Sequence, residues 1–320
     1  MKEGLLERIG RQLEAGALDA LTRGLQPTDL QSLLLEVYRR RVGALTPADV
    51  LRQYREHRFV RPAGVSPLAL RRVELAAFEL LQGRFEAIEP SPLSPLGCAS
   101  VLGPVDQNNV VSTVRNTDVA SDPTNLMALE CALRRRVLLQ QGQPAEPVRL
   151  CASQRLVRVQ PTNDPNSFPH FQIFALCSAG RGAAFEREAF AEHAGFYASL
   201  AAALSRQGYR FGPLELEIVQ YDAAAERLAR ELGEQAAGLD MQITHLQRFD
   251  QTYYRGVGFH IYALDVDGNR IFLADGGPTD WTQQLLGDRR ERLMISAIGT
   301  ERLIHCFDRR SENSGMRRDG

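Results

Sequence analysis

Arginine, not lysine, supplies the positive charge this chain can put to chemical use. Lys2 is the only lysine among its 38 basic residues. A P-loop nucleotidase, a protein kinase and a Schiff-base enzyme each need a positioned lysine, so these classes are excluded. Any phosphate chemistry must fall to arginines and a metal. The arginine best placed for it lies in the stretch Arg149–Cys177, where two apolar runs flank a polar loop from Pro161 to Phe168. That pattern predicts an antiparallel hairpin with a long tip. Arg158 and Gln160 end the first run, and strand alternation turns both to one face. On the return run Gln172 is expected to face the same way. A guanidinium with no carboxylate beside it attracts an anion, and its planar fork suits phosphate oxygens. From the hairpin alone a second reading stays open, an arginine paired with an acid elsewhere on a sheet surface.

The rest of the chain must position this hairpin. At 320 residues with 44% apolar side chains it can bury a large core and carry a smaller appendage. A net charge of −1 gives no bulk field toward nucleic acid or membrane. The five cysteines, 98, 131, 151, 177 and 306, show neither a C-x-x-C pair nor metal-ligand spacing. They read as ordinary core thiols of a reducing compartment. With no signal-peptide run and no membrane-length apolar stretch, a cytoplasmic location and no membrane partner are expected.

Residues 1–60 read as a helical N-terminal extension. Leu5, Leu6, Ile9, Leu13 and Leu18 recur at helical spacing, and Pro27-Thr28-Asp29 and Thr46-Pro47-Ala48-Asp49 resemble caps opening two more helices. Residues 1–72 hold 13 basic and 8 acidic side chains, a balance of +5 that includes Arg39-Arg40-Arg41. Such a segment either grips RNA or an acidic partner, or presents the wet faces of helices. Ser66-Pro67 opens a helix through Leu81, followed by a strand from Phe85 to Glu89. A strand is expected at Val110–Arg115, then a helix to about Arg136 opened by Pro123 behind an Asp122 cap. Further helices are expected over 184–206 and 223–237, with a strand at 214–221 between them. A hairpin over 257–274 turns at Asp267-Gly268-Asn269. The tail from 309 reads as frayed.

Several of these stretches resemble a known family, the class II aminoacyl-tRNA synthetases, and within it the histidyl branch. Arg149-Leu150, Val157-Arg158-Val159-Gln160-Pro161 and His170-Phe171-Gln172 resemble motif 2. Leu246-Gln-Arg248-Phe-Asp-Gln-Thr-Tyr253-Tyr254-Arg-Gly256 is similar to the histidyl segment Leu-Val-Arg-Gly-Leu-Asp-Tyr-Tyr-Thr-Gly. Asp275-Gly276-Gly277-Pro-Thr-Asp280 is similar to Gly-Gly-Arg-Tyr-Asp, and Gly299-Thr-Glu301-Arg302-Leu to motif 3. The helix–strand pair over 66–89 resembles motif 1, the dimer element. The motifs occur in family order across residues 61–308.

This resemblance implies an α+β core, a mostly antiparallel sheet flanked by helices, in a homodimer of the class II type. It implies attack of an amino-acid carboxylate on ATP, with magnesium as cofactor, giving an aminoacyl-adenylate. The catalytic arginines would be Arg158 and Arg248. ATP would meet Arg158, Gln160, Phe171, Glu301 and Arg302. The amino acid would meet Asp122, Gln172, Tyr253, Tyr254, Gly276 and Gly277. No side chain is assigned as a metal ligand. Three departures stand out. Gln160 replaces the family's glutamate, Leu176 falls near a glutamate that faces imidazole in histidyl enzymes, and few residues follow Arg302. The expected acyl acceptor is therefore a small molecule, peptide or protein rather than tRNA. The alternative implied by the same resemblance is a non-catalytic regulatory subunit like that of ATP phosphoribosyltransferase.

Overall fold

The computed structural model describes residues 3–160, 168–182, 184–249 and 253–308. The hairpin tip at 161–167, Asp250 and the tail from 309 lie outside these residues. Four helices open the chain: α1 (Glu3–Gly10), α2 (Ala17–Asp19), α3 (Pro27–Val42) and α4 (Pro47–Glu56). Proline at N1 starts α3 and α4, where its missing N–H costs nothing. Thr46 and Asp49 close a reciprocal capping box on α4. None of α2, α3 and α4 buries a residue. Among the described residues, hydrogen bonds join this segment and the residues just after it to the rest of the chain. Asn116 Nδ2 donates to Pro27 O at 3.5 Å, Arg58 Nη2 donates to Val159 O, and His170 Nε2 lies 2.6 Å from Arg61 O.

The core follows as α5 (Pro67–Leu81), β1 (Glu86–Ala87), β2 (Leu93–Pro95), α6 (Cys98–Leu102), β3 (Thr117–Val119) and α7 (Pro123–Gln140). Then come β4 (Val148–Val157), β5 (His170–Gly180), α8 (Phe185–Arg206), β6 (Leu214–Gln220), α9 (Glu226–Ala236) and β7 (Gln242–Gln247). The chain ends with β8 (Val257–Leu264), β9 (Arg270–Thr279), α10 (Trp281–Leu286), β10 (Arg292–Gly299) and α11 (Thr300–Phe307). Eight strands form one sheet in the order β1-β4-β5-β10-β9-β8-β6-β7. Its two outermost pairings are parallel and the five inner ones antiparallel. The architecture is the expected α+β, a mostly antiparallel sheet with helices on its faces.

Each inner strand sends alternate side chains to opposite faces, so two cores form. On one face Phe174 and Leu176 of β5 join Phe259 and Ile261 of β8 under α5, α8, α9 and α11. On the other, Leu150 and Leu156 of β4, Ile173 and Ala175 of β5 and Ile295 of β10 meet Met127 and Cys131 of α7 and Trp281 of α10. α7 and α10 cover only part of that second face. None of the five cysteines forms a disulfide, and burial lifts the Cys98 and Cys131 thiols to about 11 and 12. Cys98, Cys131, Cys151 and Cys177 are buried, and Cys306 is half-buried.

The structure departs from the sequence reading in two places. Val110–Arg115 is not a regular strand: it makes a single bridge, Ser112 to Asp118, because Asn116 turns the chain with φ 54° and β3 begins only after it. The strand expected to stop at Ala274 continues to Thr279, so Asp275-Gly276-Gly277 lies within β9.

Candidate functional site

The uncovered part of the α7 face holds a cavity of about 720 Å³. Alternation builds its floor: Phe171 and Ile173 from β5, Ile295, Ala297 and Gly299 from β10, Asp275 from β9 and His260 from β8 all border it. Arg158 follows β4 on the parity of Leu156, and its guanidinium stands at the rim. Its Nε donates to Ser121 O at 3.1 Å, its Nη2 lies 3.7 Å from Asp122 Oδ2, and its guanidinium carbon sits 5.2 Å from the Phe171 ring centre. Arg302 enters from the first turn of α11. Its Nη1 donates to Phe272 O at 2.9 Å, with the guanidinium carbon 5.8 Å from the Phe272 ring centre. Arg248 follows β7, where its backbone N–H donates to Gln220 O at 2.9 Å and its side chain is exposed. These three arginines, separated by up to 144 residues of sequence (158 to 302), border one cavity together with Gln160.

Carboxylates and phenols form the opposing wall. Asp122 caps α7: its Oδ1 accepts from Thr124 N at 2.9 Å and from Thr124 Oγ1 at 2.7 Å. Its Oδ2 is left toward Tyr253, whose hydroxyl donates to it at 3.5 Å. The Tyr254 hydroxyl donates to Asp275 Oδ2 at 2.9 Å. Tyr253 and Tyr254 meet edge to face at 5.0 Å, and Tyr253 meets Trp281 likewise at 5.7 Å. Burial, ahead of the neighbouring carboxylates, holds both phenols well above their ordinary range, so they stay protonated donors. Burial also raises the Asp275 carboxyl, against the bond from Tyr254 that lowers it. Glu301 is 2% exposed, pairs through Oε1 with Arg155, and leaves Oε2 buried without a hydrogen bond.

Of the residues singled out in sequence, Arg158, Gln160, Phe171, Arg248, Arg302, Glu301, Asp122, Tyr253 and Tyr254 all border the cavity. Three assignments are corrected. Gln172 borders it, but its amide turns to the opposite face and donates to Ser153 Oγ at 3.0 Å, because β5 pairs Gln172 with Arg155 and gives the cavity face to Phe171 and Ile173. Gly276 faces the α8 core, where a Cβ would lie 2.5 Å from Phe259 and 2.6 Å from Ser296. Gly277 makes room for a protein ring, not a ligand: a Cβ there would lie 2.7 Å from Tyr254. Sequence reasoning missed Asp275, His260 and Tyr221 on the lining. Asp275 was legible in principle, two residues before Gly277 on the same strand face.

Three guanidiniums bordering one cavity can hold an anionic ligand. Among the described residues no three His, Cys, Asp or Glu side chains converge as a metal cage requires. A magnesium ion, which keeps several waters and binds substrate phosphates, does not need such a cage. Glu301 Oε2 is one of several buried oxygens without a hydrogen bond among the described residues.

Comparison with known proteins agrees with this geometry at the level of fold. No protein-family model matches the chain, and no curated protein matches it in sequence. Among solved structures it is similar to apo histidyl-tRNA synthetase of S. aureus, with a TM-score of 0.56 and 17% identity over 76% of this chain and 68% of that one. It is similar also to an ATP phosphoribosyltransferase regulatory subunit/histidyl-tRNA synthetase from Bacillus halodurans C, at TM-score 0.55 and 16% identity over 79% and 83% of the two chains. A threonyl-tRNA synthetase RNA-binding domain from Cryptosporidium parvum Iowa II gives 0.54 and 14% over 78% and 69%. The chain thus carries the class II aminoacyl-tRNA synthetase-like fold. Within that class its neighbours include both a histidyl-tRNA synthetase and a protein described as a regulatory subunit.

Proposed function

We propose that this chain activates an amino acid with ATP, forming an aminoacyl-adenylate and pyrophosphate. The observation that carries the reading is the meeting of Arg158, Arg248 and Arg302 at one cavity whose floor holds Phe171 and whose wall holds Asp122. In the step proposed, a carboxylate oxygen of the amino acid attacks the α-phosphorus. The new O–P bond forms as the bond to the bridging oxygen breaks, and pyrophosphate leaves with that electron pair. No protein nucleophile is required, so the rate rests on positioning and charge neutralisation. Arg158, anchored by Ser121 O, holds the α-phosphate and the attacking carboxylate. Arg248 offsets charge on the other side. Phe171 and Arg302 sandwich the adenine, with Arg302 and Gln160 toward the outer phosphates. Asp122 Oδ2, supported by the Tyr253 hydroxyl, receives the α-ammonium. Magnesium bound with the nucleotide would supply further charge neutralisation on the triphosphate.

The same reading makes 61–308 the catalytic core, 1–60 an appended helical segment, and the acceptor a small molecule, peptide or protein. It also implies a homodimer through α5, whose Leu68 and Leu75 stand 71% and 58% exposed. Amino-acid-dependent exchange of labelled pyrophosphate into ATP tests the activity across the twenty standard amino acids, ornithine and diaminobutyrate. Exchange with any of them supports it. A second reading, a non-catalytic amino-acid-sensing subunit, is favoured by Gln160 in place of a carboxylate. It predicts amino-acid binding without exchange.

A further inference from the structure

Asp275 borders the cavity and has no part in the adenylation chemistry. It lies on β9 at the cavity face, in register with His260 on β8 and Ala297 on β10. Tyr254 donates to its Oδ2 at 2.9 Å, and among the described residues no arginine, lysine or histidine forms an ion pair with it. The charged groups around it are accounted for. His260 Nδ1 is bonded to Glu217 Oε1 at 3.0 Å, and Arg158 is held by Ser121 and faces Asp122. Burial raises its proton affinity, with Asp122 adding to the rise, against the Tyr254 bond and the influence of His260 and Arg158, which lower it.

The arrangement repeats a device. Two consecutive tyrosines each present a hydroxyl to one carboxylate, Tyr253 to Asp122 and Tyr254 to Asp275. Both carboxylates border the same cavity. Glu301 also borders the cavity, and its Oε2 has no hydrogen bond among the described residues. One carboxylate suffices for an α-ammonium. A second, oriented by its own phenol, matches a second cationic group on the same ligand.

We propose, on the adenylation reading above, that Asp275 is a specificity-determining residue that receives a cationic side chain, so that the substrate is a basic amino acid carrying an amine or guanidine beyond its α-ammonium. The α-carboxylate lies at Arg158, the α-ammonium at Asp122, and the side chain runs along the tyrosine wall to Asp275.

The test compares cationic and neutral amino acids of matched length in pyrophosphate exchange: lysine against norleucine, ornithine against norvaline, arginine against citrulline. The expected result is kcat/KM at least about 100-fold higher for one cationic member than for its neutral partner, since a site built around a polar group discriminates strongly against its absence. Asp275→Asn, which still accepts from Tyr254, should cut that ratio to below about tenfold, mostly through the amino-acid KM. Tyr254→Phe, which leaves the carboxylate but frees it, should lower the ratio by less. A neutral or acidic amino acid as the best substrate overturns the proposal, as does a ratio unchanged in Asp275→Asn. Should no amino acid support exchange, the adenylation reading fails separately, and thermal melts decide on Asp275. Stabilisation by lysine, ornithine or arginine that disappears in Asp275→Asn supports its role. No stabilisation, or stabilisation equal in both proteins, overturns it.

Discussion

Replacing Arg158 by lysine keeps the charge and removes the planar fork, which makes it the sharpest probe of how the site holds phosphate. Among the described residues Arg158 makes one hydrogen bond, to Ser121 O at 3.1 Å, a looser ion pair to Asp122 at 3.7 Å, and a ring contact with Phe171 at 5.2 Å. Its side chain is 42% exposed, so the fold depends on it little, and a loss of at most about 1 kcal/mol of stability is expected. With ATP and the amino acid in place, the guanidinium would make two charge-assisted bonds, each contributing about 1.5–3 kcal/mol, of which a lysine ammonium can keep about one. The loss of ring stacking adds about 0.5–1 kcal/mol. The net loss is about 2–4 kcal/mol in transition-state binding, or roughly 30- to 1,000-fold in kcat/KM for exchange at about 1.4 kcal/mol per decade. Steady-state exchange at varied ATP reads this, with a thermal melt beside it. If Arg158→Lys keeps exchange within about threefold of the wild type, the fork holds no phosphate and the role given to Arg158 is wrong.

Asp122→Asn separates capping from ligand binding. Asn caps helices as well as Asp does, so stability should change by under about 1 kcal/mol, while the amino-acid KM rises at least about 30-fold from the lost charge on Oδ2; a normal KM would leave Asp122 a cap alone. Arg135 and Glu291 are both fully buried and doubly bonded at 2.9 and 3.1 Å, with Arg181 also on Glu291. Arg135→Met should cost about 2–4 kcal/mol in urea denaturation, moderated by Arg181, and adding Glu291→Met should recover part of it. His193 sits between Ser178 Oγ and Ser296 Oγ at 3.0 and 2.8 Å, and burial, aided by Arg149, lowers its pKa to about 3. Below pH 6.5 the unfolded chain takes up a proton that the native one refuses, so stability falls with pH. Between pH 7 and pH 5 the wild type should lose about 2 kcal/mol more than His193→Gln in urea titrations.

How much of this was legible in the sequence follows from the range of the interactions involved. Local rules sufficed for α5 and α7, because Ser66-Pro67 and Asp122-Pro123 specify their own caps. Alternation placed Arg158 and Gln160 on one face, and the order of the resembling segments anticipated the meeting of Arg158, Arg248 and Arg302. Gln172 went wrong because alternation fixes parity within β5 but not across the hairpin loop. The pairing of Gln172 with Arg155 decides the face, and a one-residue offset reverses it. The glycine pair was assigned to the amino-acid site on the resemblance, which does not say which neighbours need the space. Here it is required by Phe259, Ser296 and Tyr254, which come from outside β9. Asp275 was passed over for the same reason: its raised proton affinity comes from burial that only the assembled sheet creates.

The central claim is that three distant arginines serve one triphosphate, and calorimetric titration with a non-hydrolysable ATP analogue tests it most directly. The account predicts one nucleotide per chain for the folded wild type, with affinity lowered at least about tenfold by each of Arg158→Gln, Arg248→Gln and Arg302→Gln. Absence of binding in the wild type, or binding that none of the three substitutions weakens, would contradict it.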